Sequence, residues 1–281
     1  MSMKPIMVLV CRLAAVCVLL AGGGVVAGEK VSPVARDFLL LDPGWAGRVV
    51  FYQRFEHGEA VPEIDEIDGQ LWVDNAKITD GLAGRGLATA SGNEKPTRLV
   101  EIRSSALSVH EPITVMMWWR LDAPMVETTS FALLHIYKSN AQRFIRTFVH
   151  GKGKWANLRR PTSIHQVWGF PAMANWSKPW HGRNVWFKPG TWHHVAISVS
   201  GGRTVDVYWD GGQYESIQVQ GRTFREGDTD SVIFGPQISG GVHPMTIDEL
   251  IVVDRALRAS EIAVYVHDVR KLLEHPLVNA D

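Results

Sequence analysis

The chain has 281 residues, 46% hydrophobic and 21% charged, which excludes the low-hydrophobicity, high-charge regime of disorder. Its 29 basic and 29 acidic residues cancel, so nothing indicates the basic face or stripe that grips nucleic acid. The length fits a single all-β domain, since such sandwiches run to roughly 200–250 residues.

Lys4 and Arg12 are the only charges as far as Gly28. Between them and Gly28 lie an apolar run, Leu13–Leu20, and a small-residue stretch in which Val25 and Ala27 suit a cleavage site. This pattern reads as a secretory signal peptide over residues 1–27, cut near Ala27 or Gly28. The apolar run is shorter than the ~20 residues that span a bilayer, so no membrane span is expected after cleavage. Both cysteines, Cys11 and Cys17, lie in this segment, and each follows a valine, which a lipoprotein signal does not favour. The expected mature chain, 28–281, therefore carries no disulfide, and losing two basic residues leaves it 27 basic against 29 acidic.

Most of the remainder reads as short strands between Gly, Pro, Asn and Asp clusters. Arg48–Phe55 is the first candidate. Ile113–Leu121 is apolar on both faces, as a strand buried between two layers would be. Phe131–Tyr137 and Phe144–His150 follow. Val195–Val199 and Thr204–Trp209 alternate apolar and polar residues, and Asp210-Gly211 suits a tight hairpin turn into Tyr214–Val219. Ser231–Phe234 and Thr246–Val253 close the series. A helix over about 260–274 is predicted by Ile262, Val266, Val269 and Leu273 at helical spacing, with Ser260 as N-cap and Glu261 in the first turn. Many strands with one late helix argue for a sandwich rather than a βαβ fold.

Five segments, in order, resemble the laminin G-like jelly-roll family of the concanavalin A-like lectin/glucanase folds. They are the glycine-rich turn Gly81–Leu87, the strand Ile113–Trp119 with its tryptophans, the strand entry Pro189–Ala196, the hairpin Val207–Gly211, and Ile247-Asp248-Glu249-Leu250 followed by Arg255-Ala256-Leu257 and Ser260-Glu261-Ile262. The resemblance covers about residues 45–265. It implies an all-β, two-sheet antiparallel jelly-roll sandwich with a short C-terminal helix. Most of these residues have work in the fold itself. Trp118, Trp192 and Trp209 are expected in the core, Asp248 is expected to accept hydrogen bonds from loop backbone, and Arg255 to pair with a carboxylate.

Six of the eleven tryptophans fall between residues 150 and 192, with Gly, Pro and Asn content that suggests loops. Aromatic faces pack on sugar C–H surfaces, and Arg, Asn and His bond hydroxyls. The candidate ligand surface is therefore Trp155, Arg159, Arg160, Trp168, Trp176, Trp180 and His181. The opposing reading is a loop that packs its own tryptophans, since tryptophan is highly buried on average.

Catalytic signals are weak. Glu63-Ile64-Asp65-Glu66-Ile67-Asp68 is similar to the catalytic strand of laminarinase-type glycoside hydrolases, with Glu63 and Asp65 on one face. It ends in Asp68 where a glutamate is expected, Pro62 precedes it, and it stands before the glycine-rich turn, so an acidic surface loop is the better reading. A second pattern resembles alginate lyases, through Glu101-Ile102-Arg103, Ile164-His165-Gln166 and Trp186–Trp192, with His165 as the candidate base. It lacks a leading arginine and the acid/base tyrosine, whose place Trp192 takes. Calcium is bound by many relatives through Asp, Asn and backbone oxygens, yet no compact EF-type loop locates it here. His193 and His194 are adjacent and on a strand face opposite ways, so they do not readily share one metal.

The expectation is a secreted, periplasmic or cell-surface recognition module, without catalysis, that binds polysaccharide or glycan through the 150–192 segment. The rivals are a carbohydrate-active enzyme (hydrolase or lyase) on the same fold, and an extracellular adhesion or structural module that binds protein.

Overall fold

The computed structural model describes residues 44–56, 62–73, 76–89, 99–123, 130–138, 144–151, 162–169, 189–218, 224–238 and 244–274. Residues 1–27, the expected signal peptide, lie outside them. Side-chain alternation along the strands sorts the described residues into two antiparallel sheets over one apolar layer.

The first sheet has nine strands. They are β1 (Val49–Gln53), β2 (Ile64–Asp65), β4 (Ala76–Asp80), β5 (Arg85–Thr89), β7 (Ile113–Leu121), β11 (Trp192–Ser200), β12 (Thr204–Trp209), β13 (Gly212–Gln218) and β15 (Met245–Val253). Its order is β13-β12-β11-β7-β15-β1-β2, with β5 paired to β15 and β4 to β5. The second sheet contains β3 (Gln70–Val73), β6 (Val100–Arg103), β8 (Ser130–Tyr137), β9 (Phe144–Gly151), β10 (Thr162–Gly169) and β14 (Ser231–Ile238), in the order β10-β9-β8-β14-β6-β3. One helix, α1 (Ala259–Glu274), follows β15.

The shared core lies between the sheets. Val115, Met117 and Trp119 of β7 and Val195 and Ile197 of β11 enter it from one side. Val100 and Ile102 of β6, Leu134 and Ile136 of β8, and Val232 and Phe234 of β14 enter from the other. The opposite side of the first sheet is covered by α1, whose Ile262, Tyr265, Val266 and Val269 pack on Trp45, Met116, Trp118, Tyr208 and Ile251. Strand β7 is therefore apolar on both faces, because each face has its own apolar layer, as its sequence predicts.

Local chemistry sets the joints. Asp210 and Gly211 both take positive φ, 50° and 83°, in the turn that joins β12 to β13. The Asp210 carboxylate accepts from His193 Nδ1 at 2.8 Å and His194 N–H at 2.9 Å, and it pairs with Arg270 of α1 at 2.8 Å. Burial alone would raise the pKa of Asp210. The His193 hydrogen bond and charge, the His194 amide and Arg270 outweigh it and leave the carboxyl below its usual range. The helix begins one residue before Ser260. Its cap is made by Glu261, which accepts from the Arg258 backbone N–H at 2.9 Å, half of a capping box. Arg255 pairs with the same carboxylate at 2.6 Å, as expected of it. Trp209 and Trp118 are core residues, while Trp192 is half-buried and lies under the Arg120 guanidinium, 4.9 Å from its ring centroid.

Asp248 meets its expectation by accepting from Leu82 N–H at 2.8 Å, which ties β15 to the glycine-rich turn. A Cβ on Gly81 would stand 2.4 Å from that carboxylate, so the turn needs glycine there. The pairing of β15 with β7 shifts register between Asp248 and Ile251, and Glu249 takes φ 53°. The bulge places Glu249 where Tyr52 Oη donates to it at 2.5 Å.

His194 is fully buried against Trp118 and Tyr265, with ring centroids 5.3 and 5.7 Å away. Burial, with some help from Arg270 and against the pull of Asp210, lowers its pKa from 6.5 to about 3. The unfolded chain takes up this proton near 6.5 and the folded chain does so only near 3, so the histidine's linkage costs stability as pH falls through that window. Urea unfolding between pH 7 and pH 3 is expected to show a shallower loss of stability for His194→Phe than for the wild type. Parallel curves would show that His194 is not the group responsible.

Candidate functional site

Alternation along the second sheet leaves a set of residues on its outward side, away from the shared core. On β6, Val100 and Ile102 point into the core, so Glu101 and Arg103 face outward. On β8, Leu134 and Ile136 point inward, and His135 and Tyr137 face outward beside them. Pairing aligns these residues in two ranks. One runs Trp72, Glu101, Ile233, His135, and the other Gln70, Arg103, Ser231, Tyr137.

Within the ranks the side chains lock together. Glu101 has no solvent exposure and accepts from Arg103 Nε at 2.6 Å and from Tyr137 Oη at 2.5 Å. The Tyr137 bond crosses the whole of β14, where Ser231 and Ile233 stand between the partners. Tyr137 in turn stacks on His135 with centroids 4.7 Å apart. Arg103 lies over the Trp72 ring, 4.7 Å from its centroid, and its side chain is 38% exposed. The result is an aromatic and charged platform whose buried carboxylate is held by Arg103 and Tyr137 among its partners.

The sequence-derived candidates fall elsewhere. Trp155, Arg159, Arg160, Trp176, Trp180 and His181 lie outside the described residues. Trp168 and His165 belong to β10, a strand where loop was expected, at register positions opposite Ile145 and Phe148 of β9. β10 is the edge strand of the sheet that carries the platform. Glu63 and Asp65 lie at the far edge of the other sheet, around β2. Glu63 is partly buried, which raises its pKa, and pairs with Arg54 at 3.3 Å. Asp65 accepts from Gly69 N–H at 3.0 Å and so closes a local turn. The three catalytic candidates are therefore not brought together. The lyase-like set is spread as well, because β6 and β10 stand four strand spacings apart, roughly 19 Å.

For calcium, the described residues contain no group of three or more His, Cys, Asp or Glu placed to hold a metal ion. Among the described residues no helix is long and apolar enough to cross a membrane. Sequence reasoning reached Glu101 and Arg103 only as part of the lyase-like pattern. It missed Trp72, His135 and Tyr137 as partners, because nothing in the sequence states that β6 and β8 flank β14.

The family described as the concanavalin A-like lectin/glucanases superfamily (Laminin_G_3) matches residues 94–263. The chain belongs to this family, and its two antiparallel sheets with one C-terminal helix form the jelly-roll sandwich. Its fold is similar to that of domain 4 of AbnA, an extracellular arabinanase from Geobacillus stearothermophilus, solved with arabinotriose. That match has 18% identity and a TM-score of 0.53, over 78% of this chain and 98% of that one. It is also similar to the binding domain of botulinum neurotoxin serotype D (11% identity, TM-score 0.52, 79% of this chain and 52% of that one). The binding domain of neurotoxin DC in complex with SialylT gives 13% identity and a TM-score of 0.52, over 79% and 52%. The chain thus spans about half the length of the toxin domains. No curated protein sequence matches it.

Tyr137→Phe removes one hydrogen bond to a buried charged group and is expected to cost about 2 kcal/mol in urea unfolding. A loss under about 0.5 kcal/mol would mean that this bond does not hold the platform.

Proposed function

We propose that the protein is an exported recognition module that binds glycan on the outward side of its six-stranded sheet and does not cleave it. The observation that carries this reading is the partly exposed Trp72–Arg103 pair, an aromatic ring beside a hydrogen-bonding guanidinium, backed by Tyr137 and by the buried Glu101 and His135. The same sheet ends in β10, so the tryptophan-rich segments 152–161 and 170–188 run into and out of its edge strand. Trp155, Trp176 and Trp180, with Arg159, Arg160 and His181, are proposed to extend the surface from there. Similarity to the arabinanase domain and the toxin binding domains, whose structures include arabinotriose and SialylT complexes, agrees with this reading at the level of the fold.

Binding is favoured over hydrolysis because glycosidases need two carboxylates flanking one bond, roughly 5–9.5 Å apart. Among the described residues of the platform, Glu101 is the one carboxylate, and it is fully buried and held by Arg103 and Tyr137.

The test is a polysaccharide and glycan panel probed with the chain from residue 28 onward, recording retention and newly released sugar ends together. Retention without release is expected, with Trp72→Ala reducing it at least about tenfold, the worth of one lost base-like stacking contact. Release of sugar ends would turn the reading to an enzyme, and binding to protein partners alone would turn it to an adhesion module.

A further inference from the structure

The platform holds one group whose geometry selects among glycans. The Arg103 guanidinium is fixed on one edge by Glu101, through Nε at 2.6 Å, and on one face by the Trp72 ring at 4.7 Å. Its other edge, Nη1 and Nη2, makes no hydrogen bond among the described residues, and the side chain is 38% exposed. An exposed arginine ordinarily loses much side-chain freedom when it binds, and here two contacts have already removed that freedom. What remains is a planar pair of donors beside an aromatic ring. Two parallel N–H donors match the two oxygens of a carboxylate, and the aromatic face matches the C–H side of a sugar ring.

The charge balance agrees with this use. Glu101 neutralises Arg103 in part, but the Tyr137 hydroxyl donates to the same Oε1 atom and draws charge from it. The buried carboxylate thus anchors the arginine from within the sheet and leaves the other edge with its remaining positive character. A neutral glycan would leave this edge to water.

We propose that Arg103 is a specificity-determining residue that receives the carboxylate of an acidic sugar, a uronate or a sialate, while Trp72 supports the ring. This rests on the glycan-binding reading above and narrows it to carboxylate-bearing sugars.

The experiment is calorimetric titration of the wild-type chain with oligogalacturonate, oligoalginate and sialyllactose, each beside its methyl ester. The ester keeps the ring and removes the charge. At least one free acid is expected to bind about tenfold more tightly than its ester, the worth of one hydrogen bond between charged partners. Which acid it is separates a uronate from a sialate source. Arg103→Lys retains a positive charge beside Glu101 and is expected to keep the wild-type melting temperature, yet to lose that preference because lysine lacks the planar fork. Arg103→Gln is expected to lose it as well.

Equal affinity for acid and ester, or full preference in Arg103→Lys, would overturn this inference. Binding of esters or neutral sugars without acid preference would do so while leaving the glycan-binding reading intact. Absence of binding to any carbohydrate would overturn both.

Discussion

A carboxylate removed from water must find charged or hydrogen-bonding partners, and Glu101 is fully removed. Its neighbours Val100 and Ile102 both point into the core, so the pleat directs it to the outward side of the six-stranded sheet. Arg103, two residues on, shares that side by the same alternation, and Tyr137 reaches it across a strand. The platform follows from this one requirement. Arg103 is held, so Trp72 has a cation to stack against, and Tyr137 is held, so His135 has a ring to pack on.

The two faces of the molecule meet the same physical demand differently. The first sheet covers its outward side with α1 and an apolar layer, and binds the few polar groups there internally. Asp210 gathers His193, the His194 amide and Arg270, and Asp248 closes the glycine-rich turn. Such residues look like catalytic groups in a sequence, yet their partners tie strand to turn and turn to helix. The second sheet has no helix of this kind among the described residues, and those placed on its outward side are polar or aromatic apart from Ile233. That asymmetry is why the recognition surface is proposed on the second sheet.

Much of this fold was legible in the sequence, where spacing reports local geometry. The two-sided apolar run of β7, the Asp210-Gly211 turn and the spacing of α1 follow from short-range pattern and turn chemistry, while the roles of Asp248 and Arg255 follow from the family resemblance. The weaker strands were not legible. β2 has two residues and β3 four, and β4 and β6 are four or five residues long with charged positions that blur their alternation. β10 was hidden by its glycine- and proline-rich surroundings. Of the site, Glu101 and Arg103 are visible as neighbours on one strand. Their union with Trp72 and Tyr137 depends on strand order over more than sixty positions of chain, which no local pattern encodes.

The central claim is one of place: ligand lies on the outward side of the six-stranded sheet. The most direct measurement is a two-dimensional amide NMR titration of the labelled chain with whichever oligosaccharide it retains. The account predicts that the largest shift changes fall on Trp72, Glu101, Arg103, Ser231 and Tyr137, together with the indole N–H of Trp72. Changes confined to α1 and to the β11–β12–β13 end of the other sheet, with those five residues silent, would contradict it.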